Sequence, residues 1–472
     1  VRRLYTLLLY LALPLVTLTV AVRGLRQREY WRGWSARFGF GAPVMGGGIW
    51  VHAVSVGEVQ AAAVLIEALA PRWPESEITL SCATPTARLR ARALLPQVPV
   101  SYAPYDLPGS VRRCLARLRP RLLIVLETEL WPNLLHQARC ASVPVLIASA
   151  RVSERSMRRY ARFPGLLRAA LANDVWVGAQ TEADGQRFAA LGVPPARISV
   201  SGNIKFDRTL PPGIAERGAQ LRARYGAGRP VWVAGSTHAG EEPIVLAAHR
   251  RLLERQPHAL LILAPRHPQR FAAATAAIAA QGLRAIRRTG AALDGPGGPD
   301  VPAGLDVPAG PARPAGPAGP AGPVAPAAPV AAADQPQVLL LDTLGELSDF
   351  YAAADVAFVG GSLVPIGGHN LLEPAALGLP VLSGPAQFNA PQVAQLLQAQ
   401  GALTLVHDAD QLAAVLARLL SDRDARAAQG AAGLAAIDAN RGALQRLLKL
   451  VEALDPGRSP VRTPAAFPAA RL

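Results

Sequence analysis

Short apolar runs alternate with longer amphipathic ones along most of the chain. In the first half the apolar runs are GIWVHAVSV (48–56), EITLSCA (77–83), VPVSYA (98–103), RLLIVLE (121–127), VPVLIAS (143–149) and VWVGAQ (175–180). Each has strand length and is apolar at consecutive rather than alternate positions. Such strands are covered on both faces, which predicts a parallel sheet between two helical layers. Helix-length stretches separate most of them, among them residues 58–70 and 132–141.

The pattern breaks at TLPPG (209–213) and then restarts. The second set of strands reads PVWVAGS (230–236), ALLILAP (259–265), VLLLD (338–342), VAFVGG (356–361), PVLSG (380–384) and ALTLV (402–406). This predicts two doubly wound α/β domains, residues 25–212 and 213–455, hinged around a cleft. In open sheets of this kind ligands bind beyond the carboxyl ends of the strands, so functional residues are expected just after those runs.

Ahead of the first strand, Leu4–Val22 carries no charge. A bilayer-spanning helix needs about 20 such residues, and Pro14 predicts a kink in it. No A-x-A-like cleavage site follows, which favours a retained anchor over residues 1–24 rather than a signal peptide. Arg2 and Arg3 precede the run, and Arg23, Arg26, Arg28, Arg32 and Arg37 follow it. The heavier positive flank keeps the body of the protein on the cytoplasmic side. A spanning helix and one lying in the interface both fit this pattern.

One segment interrupts the second domain. Of the 43 residues 294–336, 32 are Pro, Gly or Ala, with a local PAGPAGPAGP repeat. They lack the apolar content to fold and repeat too briefly for a collagen helix, so a disordered surface insertion is expected. The tail, 456–472, has a similar composition.

Half of the 472 residues are hydrophobic, as in a globular protein with two or three domains. The balance of 49 Lys+Arg against 33 Asp+Glu gives +16. That surplus suits an anionic membrane face, a phosphorylated substrate or nucleic acid, and a GC-rich composition also inflates Arg. Nucleic acid is disfavoured, because no recognition motif or aromatic–basic interleaving is present. Cys82, Cys114 and Cys140 form no CxxC pair, which fits a reducing compartment. His238, His267 and His369 include no close i, i+4 pair, so no metal is expected.

Candidate chemistry gathers where the topology places it. VSVGEVQ sets Glu58 at a strand-to-helix junction, where a carboxylate meets the positive end of a helix. Glu58 there is either a general base or an electrostatic cap of its helix. LETELWPN (126–133) follows a buried strand with Glu127 and Glu129, which need partners or a role. SGNIKFD (201–207) supplies Lys205. In the second half, GSTHAGEE (235–242) offers a strand-turn-helix anion cradle with free backbone N–H groups. LAPRHPQRF (263–271) places Arg266 and His267 beyond a strand. GGSLVPIGGHNLLEPA (360–375) is glycine-rich and then opens a helix on which Asn370 and Glu373 share a face. That arrangement suits phosphate on backbone amides and ribose on the carboxylate.

Taken together, these strings resemble the 3-deoxy-D-manno-octulosonic acid (Kdo) transferases of lipopolysaccharide synthesis. The likeness runs from WRGWSARFGF (31–40) through VSVGE, TPT (84–86), PYDLP (104–108), ETELWPN, KFD, STHAGEE, PRHP, DTLGEL (342–347), FVGGSL and GGHN to GALQRLLKL (442–450). It implies the GT-B architecture, with two Rossmann-like domains and a carboxyl-terminal helix crossing back to the first. It implies Kdo transfer from CMP-Kdo to the lipid A precursor at the cytoplasmic face of the inner membrane, with inversion and no metal or cofactor. Glu58 matches the family's base, and Glu127 and Lys205 match positions that stabilise the transition state. CMP contacts are implied at Pro265 and Arg266, at Leu344, Gly345 and Glu346, and at Asn370, Leu371, Leu372 and Glu373. Ser236 and Thr237 are further phosphate candidates. Two features depart from the pattern: the insertion lies near the nucleotide half, and Pro374 sits early in its helix. A UDP-sugar enzyme of the same fold and a catalytically inert nucleotide-sugar binder are the rival readings. The first does not predict ETELWPN with KFD, and intact Glu58, Glu127 and Lys205 oppose the second.

Overall fold

The computed structural model describes residues 1–41, 47–73, 78–160, 162–171, 175–290 and 335–455. The expected insertion, apart from Gln335 and Pro336, and the expected disordered tail lie outside these residues. The chain divides into two compact units, Val1–Thr209 with Ala439–Leu472, and Leu210–Asp438.

The first unit is built on strands β1 (Ile49–His52), β2 (Ile78–Cys82), β3 (Val100–Tyr102), β4 (Leu122–Leu126), β5 (Val145–Ala150), β6 (Val175–Ala179) and β7 (Ile198–Val200). They form one sheet in the order β3-β2-β1-β4-β5-β6-β7, and every pair is parallel. Alternate residues of the central strands feed opposite faces. Ile49, Val51, Leu122 and Ile124 pack in one core, and Trp50, Leu123 and Val125 in the other.

The second unit repeats the plan with β8 (Val231–Thr237), β9 (Leu260–Pro265), β10 (Ala285–Arg287), β11 (Val338–Leu340), β12 (Val356–Val359), β13 (Val381–Ser383) and β14 (Leu403–Leu405). Its order is β10-β11-β9-β8-β12-β13-β14, again parallel throughout. Two Rossmann-like sheets with a single apolar amino-terminal helix make this a GT-B type α/β fold.

Each sheet has one strand more than the apolar runs predict. The additions, β7 and β10, are edge strands without a fully buried residue. A half-wet edge leaves no continuous apolar signature to read.

The second unit ends at Asp438, short of 455, and the last helix returns to the first unit as the family resemblance implies. The helix Ala443–Leu454 buries Leu447, Leu448, Leu450 and Val451 in the first unit's core. Asp207 accepts from the N–H groups of Gly442 at 2.6 Å and Leu444 at 2.8 Å, at the start of that helix. At its far end the fully buried Asp455 accepts from Trp73 Nε1 at 2.8 Å.

Before β1 runs α1 (Arg2–Arg26), a single helix that continues through Pro14 and is long and apolar enough to cross a membrane.

Candidate active site

In the first unit, helix α2 (Val56–Leu69) starts directly beyond β1, and Ser55 caps it. The Ser55 hydroxyl accepts from Glu58 N at 3.3 Å and donates to Glu58 Oε1 at 2.7 Å. Glu58 Oε2 accepts from Val54 N at 2.7 Å. This is a capping box in which the returning carboxylate reaches the residue before the cap. Glu58 therefore has a structural role as well as any chemical one. Its carboxyl is nearly buried, and desolvation raises its pKa above the usual value. The bonds from Ser55 and Val54 oppose that rise, Glu127 adds to it and Lys205 opposes it. A carboxylate shifted this way is a stronger base than a wet one.

Glu127 follows β4 with φ 55°, a left-handed conformation rare outside glycine. Its Oε1 meets Lys205 Nζ at 2.5 Å, and its Oε2 meets Arg151 Nε at 2.8 Å. Burial pushes its pKa up, but Lys205 and then Arg151 outweigh burial and hold it below the ordinary carboxylate value. Glu129 behaves in the opposite way. Burial and the nearby Glu58 charge push it up to about 7, although the Trp131 indole donates to it at 2.7 Å. Trp131 in turn stands edge-on to the buried His52 ring, with centroids 4.6 Å apart. One carboxylate is thus held charged while two others are pushed toward protonation, a division of labour suited to acid–base work.

Arg151 was missed by sequence reasoning, although its place just after the apolar strand β5 was the available signal. Glu129 stood in a recognised string without an assigned role.

In the second unit, one N–H of the expected cradle, at His238, and three of the glycine-rich string, at Gly361, Ser362 and Leu363, are already taken. The buried Glu241 carboxylate occupies them, accepting from the N–H groups of His238 at 2.9 Å, Gly361 at 2.7 Å, Ser362 at 2.9 Å and Leu363 at 2.9 Å. A carboxylate already sits where phosphate was expected. Gly360 permits this close approach, since a Cβ there would lie 2.8 Å from Ser236 O. Removing Glu241 leaves four N–H groups unsatisfied. Glu241→Ala is expected to cost about 3–5 kcal/mol in urea unfolding, the range for uncoupling a buried charge from its partners.

Asn370 is not on a helix face with Glu373, contrary to expectation. The helix is only Leu372–Ala376, and Asn370 precedes it, accepting from Leu372 N at 3.2 Å. Pro374 lies within that short helix. Glu373 accepts from the Ser348 hydroxyl. Glu346 pairs with Arg288 at 2.8 Å and accepts from Thr343. Leu344 is exposed, and Gly345 has φ 94°. Pro265 is buried at the end of β9, and Arg266 is exposed just beyond it. Thr237 is fully buried, and its hydroxyl has no partner among the described residues.

The fold also joins residues that spacing kept apart. The His238 and His369 rings stack at 5.0 Å with Nε2 atoms 2.8 Å apart, and His267 stands edge-on to His238 at 5.3 Å. Desolvation, then Arg266, lowers His369 to about 4, and desolvation lowers His238 as well, so burial disfavours charge on either ring.

A profile described as 3-deoxy-D-manno-octulosonic-acid transferase matches residues 32–208, and one for group 1 glycosyl transferases matches 332–435. A 3-deoxy-D-manno-octulosonic acid transferase of Haemophilus influenzae is 36% identical over 96% of this chain and 98% of its own length. The chain belongs to the Kdo transferase family. The relative of the same name from Bordetella pertussis is 37% identical over 96% of this chain and 99% of its own. As a Kdo transferase family member, the chain is a glycosyltransferase. The structure of a UDP-GlcNAc 2-epimerase from Neisseria meningitidis is similar in fold, with TM-score 0.52 and 13% identity over 85% of this chain and all of that one.

Proposed function

We propose that this chain transfers Kdo from CMP-Kdo to the lipid A precursor lipid IVA, with inversion, at the cytoplasmic face of the inner membrane. The observation that carries the mechanism is the nearly buried Glu58, its pKa raised, electrostatically coupled to the Glu127–Lys205 pair. Glu58 takes the proton of an acceptor hydroxyl as that oxygen attacks the anomeric carbon of Kdo. The bond from this carbon to the CMP phosphate oxygen breaks, and CMP departs with the electron pair. Ionised Glu127 offsets positive charge developing on the sugar, and Lys205 offsets negative charge on the leaving phosphate or the Kdo carboxylate. Donor contacts belong to the second unit, at Pro265, Arg266, Leu344, Gly345, Glu346 and Asn370 through Glu373. No metal or cofactor has a role in these steps. Helix α1 attaches the enzyme to the membrane that holds its acceptor.

The purified enzyme with CMP-Kdo and lipid IVA is expected to release CMP and enlarge the acceptor by Kdo, read by mass spectrometry, with activity persisting in EDTA. No product from CMP-Kdo, but turnover with a UDP-sugar, overturns the reading.

The base assignment carries a pH prediction. The rate is expected to fall as pH drops through the raised Glu58 pKa, because only the ionised form accepts a proton. The Lys205 cation lowers the pKa of both Glu58 and Glu127. Its loss in Lys205→Met raises both, so the acid limb of kcat/KM should move to higher pH. A limb that stays in place while the plateau drops would deny Lys205 any electrostatic action on the base.

A further inference from the structure

Helix α1 touches the first unit at both ends. In its first turn Arg2 Nη1 and Thr6 Oγ1 donate to Asn133 Oδ1 at 3.2 and 3.1 Å, and the Tyr5 hydroxyl donates to Asp106 at 2.9 Å. Asp106 also accepts from the N–H groups of Asn133 at 3.1 Å and Leu134 at 2.7 Å, at the start of the helix Pro132–Cys140. Just past the far end of α1, Glu29 O accepts from the Tyr102 hydroxyl at 3.1 Å. A spanning helix cannot do this, because its first turn would lie about 30 Å across the bilayer from the domain.

The side chains agree with the contacts. Leu4, Leu8, Leu11, Leu15, Leu18 and Val22 are exposed along one stripe at three- and four-residue spacing. Arg2, Leu9, Leu13, Thr17 and Val20 form the opposite stripe and are half-buried, leading to buried Gly24. A narrow face is half-buried along the helix, while the rest of its circumference, Leu7, Tyr10 and Val16 included, is bare.

Beside the helix start lies a basic patch. Gly165, in the helix Pro164–Leu171, approaches Val1 closely enough that a Cβ there would meet its side chain at 3.8 Å. The preceding segment lines a cavity of about 620 Å³ with Arg155, Arg158, Arg159 and Arg162. Exposed Phe163 joins it to that helix.

We propose that α1 lies in the plane of the membrane interface rather than across the bilayer. Its leucine stripe enters the acyl boundary, and the four arginines rest on the phosphates of anionic phospholipids. This rests on the membrane attachment proposed above and adds how the enzyme sits there. An interfacial helix of this kind places its apolar face roughly 5–10 Å into the headgroup–acyl boundary, and arginines near an anionic surface add to binding.

The test uses the full chain with Cys140→Ser and, one at a time, Leu4→Cys, Leu11→Cys, Leu18→Cys or Leu25→Cys carrying a bimane. Each is bound to phosphatidylcholine–phosphatidylglycerol vesicles containing nitroxide lipids at graded depths. All four probes are expected at one shallow depth. A profile shallow at Leu4 and Leu25 but deep between them would establish a spanning helix and overturn the proposal. Vesicle binding without quenching at any position would show the stripe covered by protein, with the same consequence. No vesicle binding would remove the membrane attachment itself, and none of these outcomes involves CMP-Kdo. In the second arm, replacing the four arginines by glutamine should weaken binding to phosphatidylglycerol-containing vesicles on the order of a thousandfold, with little change on pure phosphatidylcholine. Unchanged binding to both would remove the arginines from the membrane face.

Discussion

Glu58→Gln is expected to lower kcat for Kdo transfer by roughly 10²–10⁴-fold, the usual contribution of a general base, while CMP-Kdo still binds with near-parent affinity. The substitution is informative because of the capping box. Glutamine serves that box nearly as well as glutamate: its carbonyl keeps the bond from Val54 N, and its NH2, standing in place of Oε1, donates to the Ser55 hydroxyl from which Glu58 now accepts. It loses the negative charge and the ability to accept a proton. Ser55→Ala is the complementary change. It removes the cap, at a cost of about 1 kcal/mol, and leaves the carboxylate. If Glu58 only caps α2, Ser55→Ala should be the more harmful variant and Glu58→Gln nearly silent. If Glu58 is the base, turnover collapses in Glu58→Gln and falls only modestly in Ser55→Ala. Urea unfolding and single-turnover product formation on the same samples separate the two roles. Parent-like turnover in Glu58→Gln would end the proposed mechanism.

Much of the architecture was legible because a parallel sheet buried on both faces writes continuous apolar runs. Runs such as RLLIVLE and ALLILAP became the central strands β4 and β9. The edge strands β7 and β10 were hidden because half-wet edges need no apolar run. The carboxyl-terminal helix carries its own amphipathic period, which does not say which core receives Leu447 and Val451; only the family likeness implied its return to the first domain. Among the candidate residues, Glu58, Glu127 and Lys205 could be singled out from their positions and the family likeness. Their coupling could not, because Glu127 and Lys205 are distant in sequence and meet only through the sheet. Glycine-rich strings misled for a physical reason. Composition shows that backbone N–H groups are available, not that a buried carboxylate such as Glu241 already fills them. The convergence of His238, His267 and His369 could not be read from spacing, because the three stand in separate loops.

Glu127→Gln is expected to reduce transfer by on the order of 10²–10³-fold, comparable to the loss of one preorganised electrostatic contact, and to destabilise the first unit as well. Both effects come from removing the one negative charge between two cations. Lys205 and Arg151 keep roughly a quarter of their side-chain surface in water, at 26% and 29%. The stability cost should therefore fall below the 3–5 kcal/mol of a fully buried pair, at about 1–3 kcal/mol. Combining Glu127→Gln with Lys205→Met should cost less than the sum of the single changes, because the second removes a cation the first left uncompensated. The backbone supplies an independent check. At φ 55° any side chain is strained, whereas glycine is not. Glu127→Gly should thus be more stable than Glu127→Ala by about 1 kcal/mol in urea unfolding, though both lack the carboxylate and should be equally inactive. Equal stability of the two would mean that the turn relaxes and stores no strain. Activity retained in either would mean that the charge held between Lys205 and Arg151 has no part in the transition state.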